Sequence, residues 1–178
     1  MLQTLICILF AFVTTAVNGQ PQQVDNGGFT IRQLTDSTSV LVLDYNGHHD
    51  EWKLNYPTYQ FVTTDLNDDG IQEALVGVIK ATRFFKQPEK RLFIYKNHYG
   101  RIRPLWMGSK VGKRLLDFTA RGNKIICITE SSYIPGPGST QTTYDVPVLK
   151  LSRFGLDFIE YKATNITEQQ ARLYLEND

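Results

Sequence analysis

Two apolar, β-branched runs, Tyr59-Gln60-Phe61-Val62-Thr63-Thr64 and Ala74-Leu75-Val76-Gly77-Val78-Ile79, are separated by nine residues rich in side-chain oxygen: Asp65-Leu66-Asn67-Asp68-Asp69-Gly70-Ile71-Gln72-Glu73. The flanks read as strands, so the nine residues must reverse the chain inside a hairpin. Gly70 stands where the bend is sharpest, which a residue without Cβ tolerates best. Alternate side-chain oxygens on a tight turn are the donor set of a hard cation. Asp65, Asn67 and Asp69 offer side-chain oxygens, Ile71 its backbone carbonyl, and Glu73 a carboxylate acting directly or through water. The expected ion is Ca2+. An EF-hand is excluded, because its twelfth position, counted from Asp65, is Val76 and the flanks are not helical. The three carboxylates of this donor set, Asp65, Asp69 and Glu73, repel each other unless a cation neutralises them. The alternative is a polar Asp-Gly turn without metal.

The stretch Val62–Val78, a strand, a D-x-N-x-D-G-x-x-E loop and an apolar strand containing Gly77, resembles the FG-GAP/VCBS repeat of integrin-like β-propellers. Arg91-Leu92-Phe93-Ile94-Tyr95 resembles a strand of that repeat's outer hairpin. The likeness covers about residues 59–103 and implies Asp65, Asn67, Asp69, Ile71 and Glu73 as calcium ligands. Two features depart from it: Glu73 stands where Asp is usual, and the loop occurs once. The chain also resembles secreted bacterial proteins with a single such loop, a likeness that brings no activity with it.

Residues 1–20 hold no charged side chain, and Leu5–Val13 forms a short apolar core followed by small and polar residues. This pattern reads as a signal peptide over 1–19, although basic side chains are missing from its start. The apolar run falls short of the roughly 20 residues of a transmembrane helix. The expected compartment is extracellular or periplasmic, with residues 20–178 as one β domain and no membrane anchor. Removal of the signal leaves Cys127 as the only cysteine, so an intramolecular disulfide is excluded. Cys127 lies in an apolar run and reads as a buried, inert thiol. A secreted domain without disulfides gains from another staple, and a bound metal supplies one.

Four stretches have the form strand, glycine turn, strand, centred on Gly47, Gly100, Gly122 and Gly155; Asn46-Gly47 is the strongest hairpin signal. Gly47, Gly100 and Gly155 stand 53 and 55 residues apart. That spacing suggests a repeat of about the size of a propeller blade. On this register a unit over 59–108 aligns with one over 112–163, where Arg121-Gly122-Asn123-Lys124 replaces the calcium loop, and 29–54 forms a half blade. So few units cannot close a propeller of four or more blades. The expected fold is all-β, antiparallel hairpins in blade-like, partial propeller-like units. A short helix over 167–176 follows, with Thr167 and Gln170 as its capping box and Ala171, Tyr174 and Leu175 on its apolar side.

The net charge of +1 hides an uneven distribution: residues 80–114 hold eleven basic side chains against Glu89. Alternate residues of a strand share a face, so Arg101 and Arg103 lie together, near Lys96 or Lys90 across a hairpin. Such a stripe suits an anionic protein or glycan; the alternative is a solvated face that protects a sheet edge. No nucleic-acid motif is present. There is no G-x-S-x-G elbow, Walker loop or G-x-G-x-x-G. His48 and His49 are adjacent on a strand and point to opposite faces, which disfavours a shared metal. Glu130 and Asp145 flank a Pro-Gly loop and are the carboxylates a small extracellular hydrolase would need to bring face to face. The favoured reading is a secreted calcium-binding β module with a binding or structural role at the cell envelope, with the hydrolase as alternative.

Overall fold

The structure, a computed structural model, describes residues 28–83, 86–108, 110–131 and 142–176. The expected signal peptide over 1–19 and most of the Pro-Gly loop lie outside these. Among the described residues eleven strands form three antiparallel meanders. The first sheet holds β1 (Phe29–Thr35), β2 (Thr38–Tyr45) and β3 (His48–Leu54). The second holds β4 (Thr58–Thr64), β5 (Glu73–Lys80), β6 (Glu89–His98) and β7 (Arg101–Met107). The third holds β8 (Leu115–Arg121), β9 (Lys124–Glu130), β10 (Tyr144–Ser152) and β11 (Gly155–Ile166), and α1 (Glu168–Glu176) follows. The fold is all-β with one short C-terminal helix, and the sheets form no closed barrel.

The second sheet is the middle layer. Ala74, Val76 and Val78 of β5, with Phe93 and Tyr95 of β6, face the first sheet and meet Leu41, Leu43 and Leu54. Leu75, Leu92 and Ile94 face the other way and meet Phe118, Ile125 and Cys127 of the third sheet. Because side chains alternate along a strand, a strand buried on both faces reads as a continuous apolar run. That is why β5 is apolar between Glu73 and Lys80.

Both ends of the stack are closed off. In the first sheet Val40 and Val42 point away from the core yet are buried. Their cross-strand neighbours are Arg32 and Lys53, and Thr30 and Glu51, whose stems cover apolar surface while their heads stay wet. Arg32 and Glu51 pair at 2.9 Å on this face. In the third sheet Ile126, Ile128, Val146 and Val148 are covered by Ala171, Tyr174 and Leu175 of α1. The helix is capped as its sequence implies: Gln170 N–H donates to Thr167 Oγ1 at 3.3 Å, and Thr167 N–H donates to Gln170 Oε1 at 3.0 Å. At its far end Arg121 donates to the Leu175 carbonyl at 2.8 Å, satisfying one of the acceptors that a helix terminus leaves open.

The three evenly spaced glycines occupy equivalent places. Gly47, Gly100 and Gly155 turn the outermost hairpins β2–β3, β6–β7 and β10–β11, all at positive φ. Two of them also admit a neighbour: a Cβ on Gly100 would lie 2.6 Å from His48 Cβ, and one on Gly155 would lie 2.7 Å from the Trp106 ring. These two outer turns therefore nest against the preceding sheet. Counted from these outer edges, the first sheet lacks only its innermost strand, so residues 29–54 make three strands rather than half a unit. The β8–β9 turn at Gly122-Asn123 stands in the third sheet where the acidic loop stands in the second.

Ala171 is fully buried between α1 and the third sheet. Ala171→Asp is expected to lower stability by about 3 kcal/mol or more, since it buries an uncompensated charge, and to increase binding of a dye that reports exposed apolar surface. Urea denaturation and dye fluorescence check both. Wild-type values in the two assays would show that α1 does not shield this sheet.

Candidate metal centre

The acidic loop lies at the seam between the second and third sheets and is anchored from three sides. Leu66, between the two first acidic positions, is fully buried in the core that the two sheets share. Thr64 Oγ1 donates to the Gly122 carbonyl at 3.0 Å, and Asn123 Nδ2 donates to Asp68 Oδ2 at 2.7 Å. Asp68 and Gly70 adopt positive φ, which folds the loop back on itself.

Each expected ligand has a defined place. Asp65 accepts from the N–H groups of Asn67 and Asp69 through Oδ1, and from Gly70 N–H at 2.7 Å through Oδ2. Desolvation acts to raise its pKa, but these backbone hydrogen bonds outweigh it and hold the carboxyl below the usual range. Asp69 accepts from Ile71 N–H at 2.8 Å. For Ile71 it is thus the N–H, not the carbonyl, whose engagement is visible. Asn67 Oδ1 accepts from Asp69 N–H, while its Nδ2 donates to Asp69 Oδ2 at 3.0 Å and to Glu73 Oε1 at 3.3 Å. Glu73 is only 1 % exposed, and its Oε2 accepts from Leu66 N–H at 2.9 Å. Burial pushes its pKa up to about 7. The Leu66 N–H pulls it down, the charges of Asp69 and Asp65 push it further up, and Lys96 pulls it down.

The loop therefore gathers the expected residues, with their acceptors turned onto N–H donors. Among the described residues no three His, Cys, Asp or Glu side chains stand as a group ready to hold a metal ion. The donor chemistry still suits a hard cation. Every candidate group offers oxygen, and Glu73 is a buried acid whose two hydrogen-bond donors, the Leu66 N–H and the Asn67 amide, are both neutral.

The basic stripe forms in part. Lys96 lies directly across from Arg103 in the β6–β7 ladder, with Arg101 two residues before it. Lys90 is not brought to them. Its partner across β5 is Ile79, its Nζ donates to the Leu116 carbonyl at 2.8 Å, and its ammonium lies 4.4 Å from the centre of the Tyr59 ring. Lys90 thus clamps the second sheet to the third. Arg91, counted with the basic residues, is 4 % exposed and pairs with Glu89 at 2.7 Å.

The other candidates separate. Glu130 pairs across the ladder with Tyr144, and Asp145 with Thr129, so consecutive-residue alternation places the two carboxylates on opposite faces of the third sheet. Glu130 meets Arg114 at 3.2 Å, and Asp145 accepts from Asn165 N–H at 3.0 Å. His49 hydrogen-bonds Asp44 at 2.6 Å, which raises its pKa, while His48 packs on Gly100. Cys127 is fully buried, and burial pushes its thiol pKa up to about 12, which suppresses the reactive thiolate. No described helix is long and apolar enough to cross a membrane. No family model, curated protein or solved structure matches the chain.

Glu73 makes a prediction about pH in the presence of a chelator. Its pKa is raised from 4.5 to about 7, so the folded chain holds this proton more tightly than the unfolded chain. Its contribution to stability is then present below about pH 4.5 and is lost as pH rises towards 7, by about 3 kcal/mol in all. Glu73→Gln, which carries no charge, is expected to lack this loss. Urea midpoints at pH 5 and pH 8 for the two proteins isolate the Glu73 contribution, and parallel pH profiles would refute the raised pKa.

Proposed function

We propose that the protein is a secreted calcium-binding β module with a binding or structural role at the cell envelope. The observation that carries the metal reading is the burial of Glu73, at 1 % exposure, in a loop with Asp65 and Asp69. A buried carboxylate surrounded by other carboxylates is costly unless something positive accompanies it. A hard cation ligated by Asp65, Asn67, Asp69, Ile71 and Glu73 answers that need. The Asn67 amide turns over to offer its oxygen. Because the loop is tied to Gly122 and Asn123 of the third sheet, the ion acts as a staple across the seam.

Secretion is supported by the uncharged, apolar N-terminal residues. The binding role is supported by Lys96, Arg101 and Arg103, which share one face of β6–β7 and suit an anionic protein or glycan. The hydrolase alternative loses its one proposed carboxylate pair, since Glu130 and Asp145 lie on opposite faces.

Millimolar calcium is expected to raise the melting temperature, because an ion that binds only the folded state stabilises it by about 2.7 kcal/mol at a hundred times its dissociation constant. Asp65→Ala or Asp69→Ala is expected to abolish the rise. Equal melting curves in calcium and in chelator would sink the metal reading. Arg101→Glu/Arg103→Glu is expected to lose retention on a polyanion column while keeping the calcium response; unchanged retention would remove the basic stripe from the binding role.

A further inference from the structure

A cleft of about 410 Å3 opens between the second and third sheets, at the end of β7 away from the basic stripe. Its size falls within the roughly 300–1,000 Å3 of small-molecule sites. Three aromatic side chains wall it. Trp106 comes from β7, and Phe158 and Tyr161 come from β11. Phe158 and Tyr161 are 54 % and 53 % exposed, with ring centres 4.8 Å apart. Together they present an apolar, aromatic face to solvent. The Trp106 indole N–H is shut off from solvent and has no hydrogen-bond partner in the structure. The floor carries Thr129 and Asp145, cross-strand partners that are 3 % and 8 % exposed. Lys110 and Lys113 stand on the rim, in the segment joining β7 to β8.

Each part of this arrangement narrows the ligand. The aromatic walls suit a flat molecule with apolar faces. A carboxylate and a hydroxyl on the floor suit a ligand with several hydroxyl donors, and two lysines on the rim suit a negative charge held further out. From this geometry we propose that the cleft binds an acidic saccharide. Its ring lies against Trp106, Phe158 and Tyr161, its hydroxyls meet Asp145 and Thr129, and its carboxylate meets Lys110 and Lys113. The site is independent of the acidic loop.

The chain has two tryptophans. Trp52 packs between the first and second sheets, so Trp52→Phe leaves Trp106 as the single indole reporter. In that background a glucuronic-acid tetrasaccharide is expected to change the Trp106 emission saturably, and more weakly as salt rises. Phe158→Ala/Tyr161→Ala and Lys110→Gln/Lys113→Gln are each expected to weaken binding about tenfold, with the calcium-dependent melting shift retained as the check on folding. The carboxyl-reduced tetrasaccharide is expected to bind poorly. The proposal is overturned by an emission that does not respond, by equal affinity for the neutral tetrasaccharide, or by tighter binding of tetraglutamate, which would make the cleft a peptide site. Loss of the calcium response with saccharide binding intact defeats the metal reading and supports the cleft.

Discussion

Burial of the middle sheet on both faces is the constraint from which the architecture follows. A sheet with one apolar face needs one partner, and a sheet with two needs two. β5 and β6 place Val76, Val78 and Phe93 on one side and Leu75, Leu92 and Ile94 on the other. The first and third sheets supply the partners, and each then has an outer face to resolve. The first does so with charged side chains laid over Val40 and Val42, the third with α1. Neither end offers a bare apolar sheet to a further blade. The stack therefore stays open at three sheets.

The acidic loop has its importance within this stack because of where it is fastened. Leu66 is inserted in the core between the second and third sheets, next to Asp65 and within hydrogen-bond reach of Glu73. The loop cannot relax away from Glu73 without withdrawing Leu66. This couples an electrostatic problem, a buried acid among acids, to a packing interaction shared by two sheets. The Leu66 and Asn67 N–H groups reduce the cost, as hydrogen bonds to a buried acceptor do. Two neutral donors compensate a buried charge only in part, and Lys96 adds its field from the neighbouring strand.

What the sequence made legible was whatever is local. The hairpins at Gly47, Gly100, Gly122 and Gly155 are set by turn residues and by alternation on either side of them. The helix is set by Thr167 and Gln170, three residues apart. The loop's internal hydrogen bonds span at most seven residues, from Leu66 to Glu73. The arrangements that escaped are long-range. Lys90 looks like part of a basic stripe until Leu116, 26 residues away, claims its ammonium. Glu130 and Asp145 look like a pair because a loop joins their strands, but the β9–β10 register turns them to opposite faces. The pairing of Arg91 with Glu89 was close at hand in sequence, yet its burial depends on packing from elsewhere in the fold. Nothing local marks Trp106, Phe158 and Tyr161 as neighbours, since they meet only where two sheets stack.

The cleft lies where the outermost strand of the second sheet ends. In the second sheet the outermost strand, β7, has 7 residues, whereas its counterpart in the third, β11, has 12. Stacked sheets cover each other only where both have strand to offer. β7 ends at Met107, and the chain then leaves through Gly108 at positive φ, where an added Cβ would lie 2.5 Å from the Phe93 ring. β10 and β11 continue as a twisted, bulged ribbon whose register shifts at several points, and bulges increase local twist. Phe158 and Tyr161 line this opening and are half exposed, while aromatics inside the stack, such as Phe93 and Phe118, are fully buried. One wall of the opening is Trp106, near the end of β7, with residues 110–113 beyond it; the other is β10 and β11, at a distance in sequence from the acidic loop.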